Sequence, residues 1–141
     1  MRTSKIFVTV DIVILKESKP NQTILLIKRK NPPFQDCWAL PGGFVDENED
    51  LEAAAIRELE EETQIKTTNL QQIKAFGKPF RDPRSHVISI SFLGFVPENT
   101  IAMAADDAKE IGWFSINNLP DLAFDHLEII NFTLNKNKKT K

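Results

Sequence analysis

The sequence predicts an α+β fold, and three features carry that prediction. Runs at 6–15 and 23–29, rich in β-branched residues, and further strand-like stretches at 70–77, 86–96 and 110–114 are separated by polar segments. Two segments, 50–63 and one following Pro120, repeat apolar residues at helical spacing without Gly or Pro. The 141 residues are 41% hydrophobic and 27% charged, an ordinary globular composition at the size of a single domain.

The elements follow in chain order. Residues 6–15 imitate a signal-peptide core after a basic start, but Asp11 interrupts the run and no small-residue cleavage site follows. Ten residues are also too few to span a bilayer, so a strand in a soluble, cytoplasmic protein is expected. A polar turn from Lys16 to Asn21 leads to Thr23–Arg29, an expected hairpin partner. Pro32-Pro33 must leave the sheet, because prolines donate no ladder hydrogen bond. Trp38 to Leu40 reads as a short strand ending at Pro41-Gly42-Gly43. Asp50 to Thr63 reads as a helix, with Leu51, Ala53, Ala54, Ala55 and Leu59 at mixed three- and four-residue spacing. In 86–96, Ile88, Ile90 and Phe92 alternate with Ser89 and Ser91, the pattern of a sheet with one buried face. Phe124, Leu127, Ile130 and Leu134 mark the apolar face of a last helix, with Asp121 its expected N-cap. Residues 136–141 hold four lysines and no apolar residue, so the domain is expected to cover 1–135, followed by a basic disordered tail. The lone Cys37 forms no internal disulfide and fits a reducing compartment, as a half-buried structural thiol.

Charge is distributed unevenly. The whole chain is near balance at −2, which argues against coating nucleic acid or an anionic membrane. Between Asp46 and Glu62, however, nine carboxylates accompany one cation, Arg57, giving −8 against +6 for the rest. Glu58, Glu61 and Glu62 fall at i, i+3 and i+4 of the helix, where like charges repel. An acidic solvated face is one reading. The other is a site for a hard divalent cation, which takes carboxylate oxygens and bridges them to substrate phosphates.

The full spacing separates these readings. From Gly43 come five residues and Glu49, seven residues and Arg57-Glu58-Leu59, one residue and Glu61-Glu62, then one residue and Gln64-Ile65. This resembles the Nudix box, G-x5-E-x7-R-E-U-x-E-E-x-G-U with U aliphatic, at eight of nine specified positions over 23 residues. Trp38-Ala39-Leu40-Pro41-Gly42-Gly43 resembles the usual approach to that box. The departure is Gln64 in place of Gly, at a left-handed cap, where it should cost about 1 kcal/mol or shift the helix end and remove no ligand.

The resemblance implies a Nudix α/β/α sandwich, with a central mixed sheet and the box helix packed on it. It implies hydrolysis of a diphosphate with Mg²⁺, or Mn²⁺, held by Glu58, Glu61, Glu62 and the Gly42 carbonyl. Arg57 is expected to lock the glutamates by charge-assisted hydrogen bonds, and Glu49 to support the loop–helix geometry. Gly42 and Gly43 let backbone approach metal and phosphate. The general base is Glu58 or a loop carboxylate, with Asp106, Asp107 and Glu110 as the candidates.

Three further stretches, Lys28-Arg29-Lys30-Asn31-Pro32-Pro33-Phe34, Phe80-Arg81-Asp82-Pro83-Arg84 and Leu122-Ala123-Phe124-Asp125-His126, resemble ADP-ribose pyrophosphatases and the Nudix domains of NAD-metabolism proteins. Cleavage of ADP-ribose to AMP and ribose 5-phosphate is therefore expected. Arg81 and Arg84 suit phosphate, since guanidinium groups bind it bidentately; the alternative is turn residues paired with Asp82. Lys28, Arg29 and Lys30 are further candidates to face phosphate, although alternation along a strand leaves at most two on one side, and Phe34, Phe80 or Trp38 is expected to stack on adenine. His86 and His126 either contact the nucleotide or merely pack. The competing functions are a nucleoside triphosphate or dinucleotide polyphosphate hydrolase and an uncatalytic ADP-ribose sensor. Nudix-related sensors carry a further DNA-binding domain, for which little room is expected after Asn135, and they commonly have eroded boxes. A homodimer is expected by analogy, with no nucleic-acid or membrane partner.

Overall fold

Strand β1 (Ile6–Lys16) is the centre of the fold, and its alternation decides which helix covers which face. In the computed structural model, which describes residues 5–17 and 21–139, seven strands and two helices form. The strands are β1, β2 (Thr23–Arg29), β3 (Trp38–Ala39), β4 (Gly42–Phe44), β5 (Gln71–Phe76), β6 (His86–Val96) and β7 (Ala108–Ser115). The helices are α1 (Leu51–Thr63) and α2 (His126–Lys139).

The sheet runs β3-β2-β1-β6-β5, with β4 also paired to β1 and β7 to β2. β1 and β6 are parallel from Ile6↔His86 to Lys16↔Val96, while β2, β4, β5 and β7 pair antiparallel, so the sheet is mixed. Val10, Ile12 and Ile14 of β1 face Ala54, Ala55 and Leu59 of α1. Val13 and Leu15 face Ile129 and Ile130 of α2. Side chains that alternate across a strand therefore build two apolar layers, one under each helix, and the result is an α/β/α sandwich.

The second helix departs from expectation at both ends. It begins at His126, not near Asp121, because Leu122 bridges to Trp38 and the Ala123 N–H donates to the Trp38 carbonyl at 2.8 Å. Its buried residues are His126, Ile129, Ile130 and Thr133, whereas Leu127 is exposed. The helix also continues through Lys139, so residues 136–139 extend it across the expected boundary at 135 rather than forming a loose tail. Lysines are fair helix formers and suit the negative end of the helix dipole. Residues 140 and 141 lie outside the described residues.

Candidate active site

The turn between β3 and β4 brings the glycines against α1. A Cβ on Gly43 would occupy the space of the Glu58 carboxylate, and one on Gly42 would meet the Val10 carbonyl and Asp11. Backbone therefore excludes a side chain at Gly42, while one at Gly43 would displace the Glu58 carboxylate, which here fits against bare backbone. The Gly42 N–H donates to Glu62 Oε1 at 2.8 Å.

Arg57 organises the outer side of the helix. Its Nε and Nη2 donate to the two oxygens of Glu49 at 2.7 and 2.9 Å. Nη1 donates to Glu58 at 2.7 Å and Glu61 at 2.8 Å, and Nη2 also reaches the Phe44 carbonyl at 3.1 Å. Glu49 in turn accepts the Asp46 N–H at 2.9 Å, which closes the loop onto the helix. The Arg57 hydrogen bonds hold the Glu49 carboxyl down at about 2. Burial pushes Glu58 above the usual carboxylate range, against the pull of Arg57. Glu62 is pushed up to about 8, by burial first, with the Gly42 bond opposing it and the charges of Glu58, Asp107 and Asp11 adding to it.

A cavity of about 390 Å³ opens here, lined by the carboxylates of Glu58, Glu62, Asp46 and Asp107 and by the cations of Arg29, Lys30, Arg81 and Arg84. Gly42, Gly43, Phe44, Phe124, Asp11 and His126 complete much of the wall. Of the three glutamates expected to hold metal, Glu58 and Glu62 line the cavity, and Glu61, the most exposed of them, shares Arg57 Nη1 with Glu58. Among the described residues no three His, Cys, Asp or Glu side chains converge as a ready metal cage. The donor set still fits a hard cation: all oxygen, two carboxylates beside a glycine turn, and Glu62 buried against a single N–H.

Other expected residues sort by their partners. Arg81 lines the cavity but spends its guanidinium on a bidentate bond to Asp125 at 2.8 and 2.6 Å and a third bond to the Val87 carbonyl. Arg84 is the residue paired bidentately with Asp82, at 3.0 and 2.7 Å, and it lies over the rings of Phe44 and Phe124. Arg29 donates to the Pro33 carbonyl at 2.8 Å and lies 5.0 Å from the Phe124 ring centre. Phe34 is outside the cavity wall and stacks behind Phe124, with ring centres 4.7 Å apart. Phe80 is 94% exposed and Trp38 packs on Phe114, so neither lines the cavity. Lys28 and Glu110 pair with each other away from it, and His86 meets the Gly77 carbonyl. Of the loop carboxylates only Asp107 reaches the wall. Its loop is tied to α1, where the Met103 and Ala105 N–H groups donate to the carbonyls of Thr63 and Glu62.

Sequence reasoning passed over Asp11, Asp82 and Phe124 as site residues. Asp11 was visible as the one charge in an apolar strand, but its burial beside Ser89 and His126 is a property of the packed sheet.

The chain belongs to the NUDIX domain family, whose pattern it matches over residues 5–132. Among particular relatives, an ADP-ribose pyrophosphatase of Methanocaldococcus jannaschii is 50% identical over 123 residues, covering 87% of this chain and 70% of that protein. The NUDIX domain of Shewanella oneidensis NrtR, solved with ADP ribose, superposes with a TM-score of 0.86 at 28% identity, covering 95% and 90% of the two chains. A bifunctional NMN adenylyltransferase/ADP ribose pyrophosphatase of Francisella tularensis, solved with AMP and a Mn ion, gives 0.83 at 34% identity. The match covers 96% of this chain and 43% of that one.

Proposed function

We propose that this chain is a single-domain Nudix hydrolase that cleaves ADP-ribose with water to AMP and ribose 5-phosphate. The observation that carries the reading is one cavity lined both by Glu58 and Glu62 beside the glycine turn and by Arg29 and Arg84. The identity of 50% to an ADP-ribose pyrophosphatase supports the substrate.

Glu58 and Glu62, with Glu61 on the same turn and the Gly42 carbonyl, would hold a divalent cation, Mg²⁺ by preference and Mn²⁺ as substitute. Bound there, the cation supplies charge neutralisation on phosphoryl oxygens and a more acidic water. Arg57 keeps Glu58 and Glu61 in place, and Glu49 keeps Arg57 in place. Arg29 and Arg84 orient the anionic substrate, with Arg81 acting through Asp125. The water oxygen bonds to one phosphorus as the bridging P–O bond breaks, and the bridging oxygen leaves on the other phosphate. Of the expected bases, Glu58 and Asp107 line the cavity, and one of them would take the water's proton.

Purified protein with Mg²⁺ should convert ADP-ribose to AMP in a chromatographic assay. Pyrophosphate release from a nucleoside triphosphate without ADP-ribose turnover would replace this reading, and binding without cleavage would mark a sensor. Glu61→Gln and Glu62→Gln should each remove most activity while the circular dichroism spectrum stays unchanged. Near-normal rates at saturating Mg²⁺ would overturn the ligand assignment.

A homodimer in the cytoplasm completes the proposal by family resemblance, and sedimentation measures the first directly. Among the described residues no helix is long and apolar enough to cross a membrane.

A further inference from the structure

The short link between β3 and β4 changes hydrogen-bond partners within three residues. Pro41 has no N–H, and its carbonyl accepts from Ile12 at 2.9 Å. Gly42 donates to Glu62. Leu40, 2% exposed, has an N–H that must find an acceptor, and none comes from a neighbouring strand. It donates instead to His126 Nδ1 at 3.0 Å.

We propose that His126 is a positioning residue for the diphosphate cleavage, its ring standing in for a β-ladder acceptor to fix the Leu40–Gly43 turn against α1. This rests on the hydrolase reading above. Accepting at Nδ1 requires the neutral ring with its proton on Nε2. That nitrogen faces Asp11 Oδ1 at 3.5 Å, while the other Asp11 oxygen accepts the Ser89 hydroxyl. Asp11 is the direct ladder partner of Gly42, so one carboxylate touches both the ring and the turn it holds. The segment leading into α2 is fastened at two points just before the ring. Ala123 donates to the Trp38 carbonyl, and Asp125 is gripped by two N–H groups of Arg81.

Movement of this turn reaches the chemistry by two routes. It shifts the N–H that orients Glu62, and it shifts the Gly43 backbone that leaves room for Glu58. His126 needs no contact with the reacting atoms to matter, and a misplacement of about 1 Å is enough to cost on the order of a hundredfold in rate.

Two variants and the unaltered protein test this. His126→Leu fills the space without an acceptor and should lower kcat by roughly tenfold to a hundredfold, with KM changed less than about threefold. His126→Gln supplies an acceptor oxygen and should recover most of kcat. Amide hydrogen exchange at Leu40 and Gly42 should quicken in the first variant and slow again in the second. In the wild type, imidazole ¹⁵N resonances should show Nδ1 bare and Nε2 protonated. A protonated Nδ1 overturns the proposal even if neither variant folds. So does a folded His126→Leu with wild-type kcat, or one whose loss lies in KM alone, which would make His126 a substrate contact. The exchange and tautomer measurements need no substrate, so they separate failure here from failure of the hydrolase reading, which shows as an inactive wild type.

Discussion

Arg57 binds Glu49, Glu58, Glu61 and the Phe44 carbonyl at once, so a single guanidinium joins the loop to the helix and holds three box glutamates. Its planar fork makes this arrangement, which a lysine's point charge could not reproduce. Glu49 reports on the same cluster through pH. Its pKa falls from 4.5 to about 2 on folding, so the stability it contributes is present above 4.5 and is lost as the pH drops toward 2. The stability difference between wild type and Glu49→Gln should therefore be largest near neutrality and shrink across that window, as followed by urea unfolding. A difference independent of pH would mean that Glu49 acts through something other than its charge.

At the scale of elements, α1 ends as its sequence dictates and at a cost. Gln64 sits at φ 62°, the left-handed position where the family has glycine, and its N–H still donates to the Glu60 carbonyl at 2.8 Å. The helix end has not shifted, so the strain is borne locally. Gln64→Gly should raise stability by about 0.5–1 kcal/mol, measured by chemical denaturation, and leave activity intact. Helix α1 and six of the seven strands were legible because spacing, glycines and alternation are local signals; β4 was not, because Gly42-Gly43 reads as the end of the strand before it and becomes a strand only by pairing with β1. Helix α2 was less so, because half of its buried face is polar: His126 and Thr133 lie inside, satisfied by Leu40 and the Ile129 carbonyl. A period drawn through apolar residues alone selected Leu127 instead. The site divides in the same way. The box residues could be read by number, and so could the local Arg84–Asp82 pair, whereas the Arg81–Asp125 pair and the Asp11–His126 contact exist only once distant segments meet.

For the whole molecule, the −8 segment and the +6 remainder meet in one cavity instead of lying on separate surfaces. Capture of an anionic substrate by the cavity's cations should weaken with salt. Between ionic strengths of about 0.01 and 0.1 M, where screening shortens from about 30 to about 10 Å, kcat/KM should fall while kcat changes little. A flat response in steady-state assays would leave the cations a structural role. The parallel seam between β1 and β6 has a kinetic consequence. Every pair in it, from Ile6 with His86 to Lys16 with Val96, joins residues 80 positions apart. The central strand can find its place only after a long stretch of chain has been closed, at an entropic cost incurred before any contact repays it. Refolding should therefore be limited by that closure. Val13→Ala, inside the seam, should slow refolding in stopped-flow measurements, and Ile130→Ala, on the helix that docks over it, should chiefly hasten unfolding. The opposite pattern would place closure after the barrier. If closure is the barrier, the strand whose Asp11 stands under the glycine turn is set there, and the chain gains its complete hydrolytic site only when α2 then brings His126 beside that carboxylate.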